Sequence, residues 1–190
     1  MPQWTIEIPY QDIPWEYYLE FCGQRAEHSF YAYHIISEIL KHNEVHSIIE
    51  LGTAYGALTL YLGLWGLRLD VPVATFDIES DLHLPVAHAF MKMGVQYHNM
   101  DILSAEAEQV ILEIIDNKPT YLVVDGGDKK KEFARYARLI PTGSVISIHD
   151  YETEFKFGEG SGIKYDEFKK EEWKKHDMKM ATIIKLGNTK

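Results

Sequence analysis

Five apolar runs, each closing on an acidic residue and each followed by a helical pattern, constrain this chain more than any other feature. They are Ser47-Ile-Ile-Glu50-Leu51, Val71 to Ile78 with Asp77 near its end, Val95 to Ile102 with Asp101, Tyr121-Leu-Val-Val-Asp125, and Ser144-Val-Ile-Ser-Ile-His149-Asp150. Apolar runs without polar alternation are strands covered on both faces. Their alternation with helical segments is the pattern of a parallel sheet wrapped by helices on either side. The expected fold is a doubly wound, Rossmann-like α/β sheet, mostly parallel, with an antiparallel last strand at Met180 to Leu186. A chain of 190 residues makes one such domain, residues 1–190, and is long enough to bury a core without staples.

The helices are legible between the strands. Ala32, Ile35, Ile36 and Ile39 mark one face of a helix from Glu27 to Lys41, with Asn43 as its stop. A second follows Gly56 and closes near Gly66, and a third runs from Leu84 to Met93 with Gly94 at its C-terminus. Ser104 reads as an N-cap, with Glu106 and Glu108 in the first turn and Val110, Ile111, Ile114 and Ile115 as the buried stripe. Lys130 to Ile140 gives the next, followed by a glycine-bearing loop over 152–162 and a lysine-rich helix from Tyr165 to His176. Only one strand after that helix is convincing, so six strands and a truncated sheet edge are expected. Residues 27–187 form the core. Residues 1–26 carry Trp4, Tyr10, Trp15, Tyr17, Tyr18 and Phe21, broken by Pro2, Pro9 and Pro14, and either cover the end of the core or line a substrate pocket as a lid.

Charge narrows the partners. With 29 acidic against 19 basic residues and a net charge of −10, the chain is ill-suited to nucleic acid or an anionic membrane, whose binding rests on neutralising phosphates. No run reaches membrane-spanning length, and the opening residues lack a leader pattern. Cys22 is the sole cysteine, so no intrachain disulfide or thiolate cluster forms, and it is expected to be buried. A reducing, cytoplasmic setting fits.

In a parallel sheet all five strand-end acids lie on one edge, where such sheets bind ligands. Clustered carboxylates repel one another unless they meet a cation, hydroxyls or amides. The first strand leads into Glu50-Leu-Gly52-Thr53-Ala54-Tyr-Gly56 and then a helix. Glycine there permits a sharp turn and a close approach of ligand, and the helix N-terminus offers free N–H groups. Asp77 stands about 20 residues further on, where a carboxylate accepts both hydroxyls of a ribose. A nicotinamide dinucleotide or an adenosyl cofactor would suit it equally. The turn lacks G-x-G-x-x-G, and Glu50 would be unfavourable beside a pyrophosphate but welcome beside a sulfonium and an amino-acid head group. S-adenosylmethionine is therefore favoured over NAD.

Ile-Ile-Glu50-Leu-Gly52-Thr-Ala-Tyr-Gly56 resembles the first motif of class I S-adenosylmethionine-dependent methyltransferases. Val-Val-Asp125-Gly-Gly-Asp-Lys with Ile-His149-Asp150-Tyr151 resembles the branch of small-molecule O-methyltransferases and cephalosporin-hydroxylase-like proteins. The resemblance covers roughly residues 27 to 187 and implies that Glu50, Gly52, Thr53 and Gly56 shape the methionine end of a cofactor pocket. It implies Asp77 on the ribose and Asp101 near the adenine, with Asp125 also among the cofactor-binding residues. In metal-using relatives the acid in Asp125's place and an adjacent pair after the fifth strand hold Mg²⁺. Here that pair is His149-Asp150, and histidine is a poor ligand for Mg²⁺. Either Asp125 and Asp150 hold the metal with water, or a softer ion is used, or none is.

Methyl transfer to a hydroxyl needs alignment and a proton acceptor. His149 suits that role, since imidazole titrates near neutrality. Lys129 is a second candidate because related enzymes place a lysine shortly after the acid, although in a solvated first helical turn with Lys130 and Lys131 it would have no such role. His42, His46, His83 and His88 do not assemble into a metal motif. The acceptor expected is a small hydroxylated molecule, a sugar or a phenol, and a homodimer is left open. The competing readings are an S-adenosylmethionine-binding protein without chemistry and an N-methyltransferase. The latter is disfavoured because Asp125-Gly-Gly-Asp stands in place of Asp/Asn-Pro-Pro-Tyr/Phe.

Overall fold

The structure, a computed structural model, describes residues 19–26, 28–79, 82–157, 162–171 and 179–188. Two short strands, β1 (Leu19–Phe21) and β2 (Gln24–Ala26), form an antiparallel hairpin. The core elements follow: α1 (Phe30–His42), β3 (Ser47–Leu51), α2 (Ala57–Leu69), β4 (Val73–Asp77), α3 (Leu84–Met93), β5 (Val95–Asn99) and α4 (Ala105–Ile115). The chain continues with β6 (Thr120–Val124), α5 (Lys129–Leu139), β7 (Val145–His149), β8 (Ile163–Glu167) and β9 (Met180–Asn188).

Seven strands make one sheet in the order β5-β4-β3-β6-β7-β9-β8. β5, β4, β3, β6 and β7 run parallel, and β9 and β8 are antiparallel. Successive residues face opposite sides. Ile48, Tyr121, Val123, Val145 and Ala181 pack with α1, α2 and α3, while Ile49, Leu51, Phe76, Leu122, Val124, Ile146 and Ile183 pack with α4 and α5. Every residue of β3 and β6 is buried, which is why neither strand alternates in sequence. Chain direction across the sheet reverses between β3 and β6, and in open α/β sheets such a switch point opens the binding crevice.

The helix ends follow local chemistry. Ser104 accepts the N–H of Ala107, Gly94 closes α3 in the left-handed conformation, and Asn43 ends α1. Lys185 is buried in β9 and donates to the carbonyls of Ile140 at 2.6 Å and Arg138 at 3.1 Å, tying the last strand to the end of α5.

Three expectations are corrected. The segment expected to open a lysine-rich helix at Tyr165 is instead β8, which pairs with β9 and completes a seventh strand, so the sheet edge is not truncated. Ile163 faces the core while Lys164 and Asp166 face solvent, the alternation of a charged edge strand. Residues 172–176 of that expected helix, and 158–161 of the loop before it, lie outside the described residues. Cys22 is exposed, not buried, because it sits at φ 53° in the turn of the hairpin. Of the aromatic lid segment only 19–26 is described, and there Phe21 packs on Tyr33 and Tyr61, with ring centroids 5.8 and 5.6 Å apart. None of the helices among the described residues is long and apolar enough to cross a membrane.

Candidate active site

The carboxyl ends of β3, β4, β6 and β7 bring Gly52, Asp77, Asp125 and His149 to one edge of the sheet. The Gly52–Gly56 turn is built as its sequence demands. Gly52, Ala54 and Gly56 all have positive φ, at 99°, 44° and 81°. The sharp turn expected of these glycines is present, and neighbouring protein atoms also leave no room for a Cβ at either. A Cβ on Gly52 would lie 2.4 Å from the carbonyl oxygen of Asp125, and one on Gly56 would meet Phe90 and Val86 at 2.9 Å.

Asp77 pins this turn. Its Oδ2 accepts the N–H of Thr53 at 2.9 Å and of Ala54 at 2.8 Å, and its Oδ1 accepts the N–H of Glu79 at 3.1 Å. A carboxylate has about four acceptor directions, so one remains, on Oδ1. Glu50 lies beneath the turn, 1% exposed, with Oε2 accepting from the hydroxyls of Thr59 and, at 2.6 Å, Thr75. Burial pushes its pKa up to about 8 against the lowering effect of the two threonines, with the charges of Asp125 and Asp77 adding to the rise. Thr53 is also buried, its hydroxyl 2.6 Å from that of Thr75. Asp101 is exposed and accepts the N–H of Leu103 at 2.8 Å, a local turn bond.

Asp125 is the hub. Its Oδ1 lies 2.9 Å from His149 Nδ1 and its Oδ2 lies 2.9 Å from His28 Nε2. Burial works to raise the Asp125 pKa, but the bond from His149 and the contact with His28 outweigh it and hold the carboxyl below the usual carboxylate range. Ionised Asp125 only accepts, so Nδ1 of His149 carries the proton and Nε2 is left as the acceptor. Among the described residues that Nε2 takes no hydrogen bond. Burial pulls the His149 pKa down, yet the bond and charge of Asp125 and the charge of Asp150 together raise it.

His28 was not singled out from the sequence. It lies just before α1, 8% exposed, with its ring centroid 4.5 Å from that of His149. Its contact with Asp125 is off the line of a hydrogen bond, so among the described residues both ring nitrogens are buried without a hydrogen-bonded partner. Tyr33, whose ring packs 6.4 Å from His28, has a buried hydroxyl in the same condition. His28, Asp125 and His149 also form a group whose donor atoms lie within 4.8 Å of one another. That nitrogen-rich set suits a softer ion such as Zn²⁺ better than Mg²⁺.

Lys129, expected in a solvated turn unless it served as base, is buried at the start of α5. Its Nζ lies 3.0 Å from the carbonyl of Gly126, 3.1 Å from Asp150 Oδ2, 3.2 Å from Glu154 Oε2 and 3.8 Å from Asp125 Oδ1. Burial works against the charged amine, but Asp125, Asp150 and Glu154 raise its pKa. Glu132, 1% exposed, holds the Gly126–Asp128 turn by accepting the N–H groups of Gly126 at 3.1 Å and Asp128 at 2.9 Å. His42, His46, His83 and His88 are all exposed, as expected of scattered surface histidines.

Comparison with known proteins now becomes decisive for the fold. CmcI, solved as its Mg-SAM form, matches with a TM-score of 0.55 over 70% of this chain and 57% of its own, at 17% identity. An O-methyltransferase structure from Klebsiella pneumoniae, described as "putative", matches with a TM-score of 0.51 over 84% of this chain and 81% of its own, at 14% identity. The chain has the class I methyltransferase fold. In sequence it is similar to curated bacterial proteins named "Putative O-methyltransferase". One from Mycobacterium sp. (strain JLS) is 26% identical over 117 residues, 60% of this chain and 53% of that protein. One from Mycobacterium ulcerans is 30% identical over 118 residues, 60% of this chain and 52% of that protein. The chain thus spans about half the length of the curated relatives it matches. No protein-family model matches it.

Proposed function

We propose that this chain is an S-adenosylmethionine-dependent O-methyltransferase acting on a hydroxyl of a small molecule, a sugar or a phenol. The observation that carries the reading is the pairing, at the switch point of a methyltransferase-type sheet, of the Asp77-pinned glycine turn with a half-buried Asp125–His149 dyad. The cofactor supplies an electrophilic methyl group on a sulfonium. Asp77 offers its remaining acceptor direction to one ribose hydroxyl, and the turn it pins presents the N-terminus of α2 to the amino-acid end. Glu50 and Thr53 act from below by fixing the turn, and Asp101 borders the adenine side.

His149 Nε2 is the base. With cofactor and acceptor bound, Nε2 would take the hydroxyl proton as the acceptor oxygen receives the methyl group, S-adenosylhomocysteine being the leaving group. Asp125 steadies the imidazolium so formed, as a carboxylate does for a histidine base. The unpartnered nitrogens of His28 favour a polar acceptor, since a buried donor or acceptor left unbonded costs about 1–3 kcal/mol that a hydroxylated ligand recovers.

Calorimetry with S-adenosylmethionine and its demethylated product, followed by assay of S-adenosylhomocysteine over a panel of sugars and phenols, tests the reading. Binding with turnover on a hydroxyl acceptor supports it. Binding with no turnover on any acceptor favours the non-catalytic alternative, and absence of binding removes the proposal.

A further inference from the structure

Three carboxylates and a carbonyl converge beside the dyad on a single point, and that point is occupied by the chain itself. Gly126 O, Asp150 Oδ2 and Glu154 Oε2 lie 3.0–3.2 Å from Lys129 Nζ, with Asp125 Oδ1 at 3.8 Å. The lysine side chain is 7% exposed, while Glu154 reaches in from the surface. An all-oxygen ring of this kind is the donor set that Mg²⁺, Ca²⁺ or Mn²⁺ prefers. The ammonium donates hydrogen bonds to Gly126 O and Glu154 Oε2, and Asp150 Oδ2 lies at ion-pair distance, 3.1 Å. We propose that Lys129 is the resident cation of this site, standing where a divalent ion would bridge Asp125 and Asp150, so that the chain holds these acids in place without a metal.

The proposal rests on the methyltransferase reading only for its consequence, that turnover needs no added metal. The cage itself stands on geometry. Oxygen ligands bind Mg²⁺ at about 2.0–2.1 Å, and a dication seated among them would share the ring with an ammonium. Lys129, charged among these acids, then has no lone pair with which to take a proton. It is a positioning residue that fixes Asp150 and, at longer range, Asp125, leaving proton transfer to His149. The hydroxyl acceptor must accordingly be deprotonated by the dyad without a Lewis acid to lower its pKa. That favours phenols and other acidic hydroxyls over simple sugars.

Uptake of Mn²⁺ by the full chain, read as loss of the free-ion electron paramagnetic resonance signal, tests this without any turnover. Wild type is expected to bind no Mn²⁺ below about 1 mM, the weak end of protein cation sites. Lys129→Met empties the ring and is expected to gain one site at least roughly tenfold tighter, lost again when Asp150→Asn is added. One Mn²⁺ bound tightly per wild-type chain and released by Asp150→Asn overturns the proposal. So does one Zn²⁺ per wild-type chain released by His28→Ala, and so does a folded Lys129→Met that gains nothing. If Lys129→Met does not fold, the wild-type titration decides alone. Because uptake is read on the protein by itself, failure to bind S-adenosylmethionine would sink the proposed function and leave this test standing.

Discussion

Replacing Glu50 by glutamine isolates the most heavily perturbed acid of the site. Glu50 is sealed under the glycine turn, and its pKa is pushed from the ordinary 4.5 to about 8, mainly by burial. The folded chain therefore keeps this proton across a range in which the unfolded chain has released it. Fewer protons on the unfolded state mean that stability falls as pH rises from about 4.5 to about 8. The gap, converted at about 1.4 kcal/mol per pH unit, sets a ceiling of about 5 kcal/mol. His149, whose folded pKa is also raised, adds stability below its ordinary 6.5 that is lost as pH rises through its folded value, so it acts in the same direction. Asp125, with a depressed pKa, matters only below the ordinary 3.8. Glu132, whose pKa burial also raises, contributes to the slope between pH 5 and 6 in the same direction, so the Glu50 share is the difference between wild type and variant. Glu50→Gln keeps an oxygen for Thr59 and Thr75 and cannot ionise. Urea unfolding of both proteins from pH 5 to 8.5 should show wild type losing roughly 1 kcal/mol more than the variant over that first pH unit. Equal slopes for the two proteins between pH 5 and 6 would refute the buried, protonated Glu50.

Further outcomes follow from single contacts. Gly52→Ala places a Cβ 2.4 Å from the backbone oxygen of Asp125 at a positive φ, and should cost about 2–4 kcal/mol in thermal or urea unfolding. Ser104→Ala removes an N-cap bond to Ala107 and should cost about 1 kcal/mol. Ser29→Ala, at an N-cap without a side-chain bond, should change stability by only a few tenths of a kcal/mol; equal losses at both serines would show that capping is not the cause. His149→Gln should lower kcat by about 10²–10⁴ while the S-adenosylmethionine Kd stays unchanged. Because the His149 pKa is raised and the neutral form is the base, wild-type kcat/KM should climb with pH through a value above the ordinary histidine 6.5, and an acid limb centred below 6.5 would count against the dyad.

Much of the architecture could be read from local pattern. Leu84 to Met93 with Gly94 behind it, and Ser104 ahead of α4, are set by capping chemistry within a few residues, and the structure places them as expected. β8 was hidden because Lys164, Asp166 and Glu167 make its five residues look solvated, and an edge strand needs only one apolar face. Lys129 heads a run of three lysines, and nothing in composition says which of them turns inward; the phase of α5 and the reach of Glu154 decide it. His28 was invisible for another reason. Its partners Asp125 and His149 lie nearly a hundred residues or more along the chain, and only the crossover from the hairpin into α1 brings its ring beside theirs.

The acids at the strand ends also change in meaning once their partners are known. Gathered carboxylates must be compensated, and from sequence alone the compensating groups seem to have to come from a bound molecule. In the folded chain they come from within: turn amides for Asp77, threonine hydroxyls for Glu50, a neighbouring N–H for Asp101, imidazoles for Asp125 and an ammonium for Asp150. Acidic clustering at the edge thus fixes the walls of the crevice and does not by itself call for a ligand. What does call for one is His28, whose Nε2 lies 2.9 Å from Asp125 Oδ2 but which, among the described residues, has no hydrogen bond on either ring nitrogen. Solvent cannot repay that cost at a site 8% exposed, and no group among the described residues does. The balance closes when a polar molecule lies beside His28, within reach of the His149 nitrogen that would take its proton.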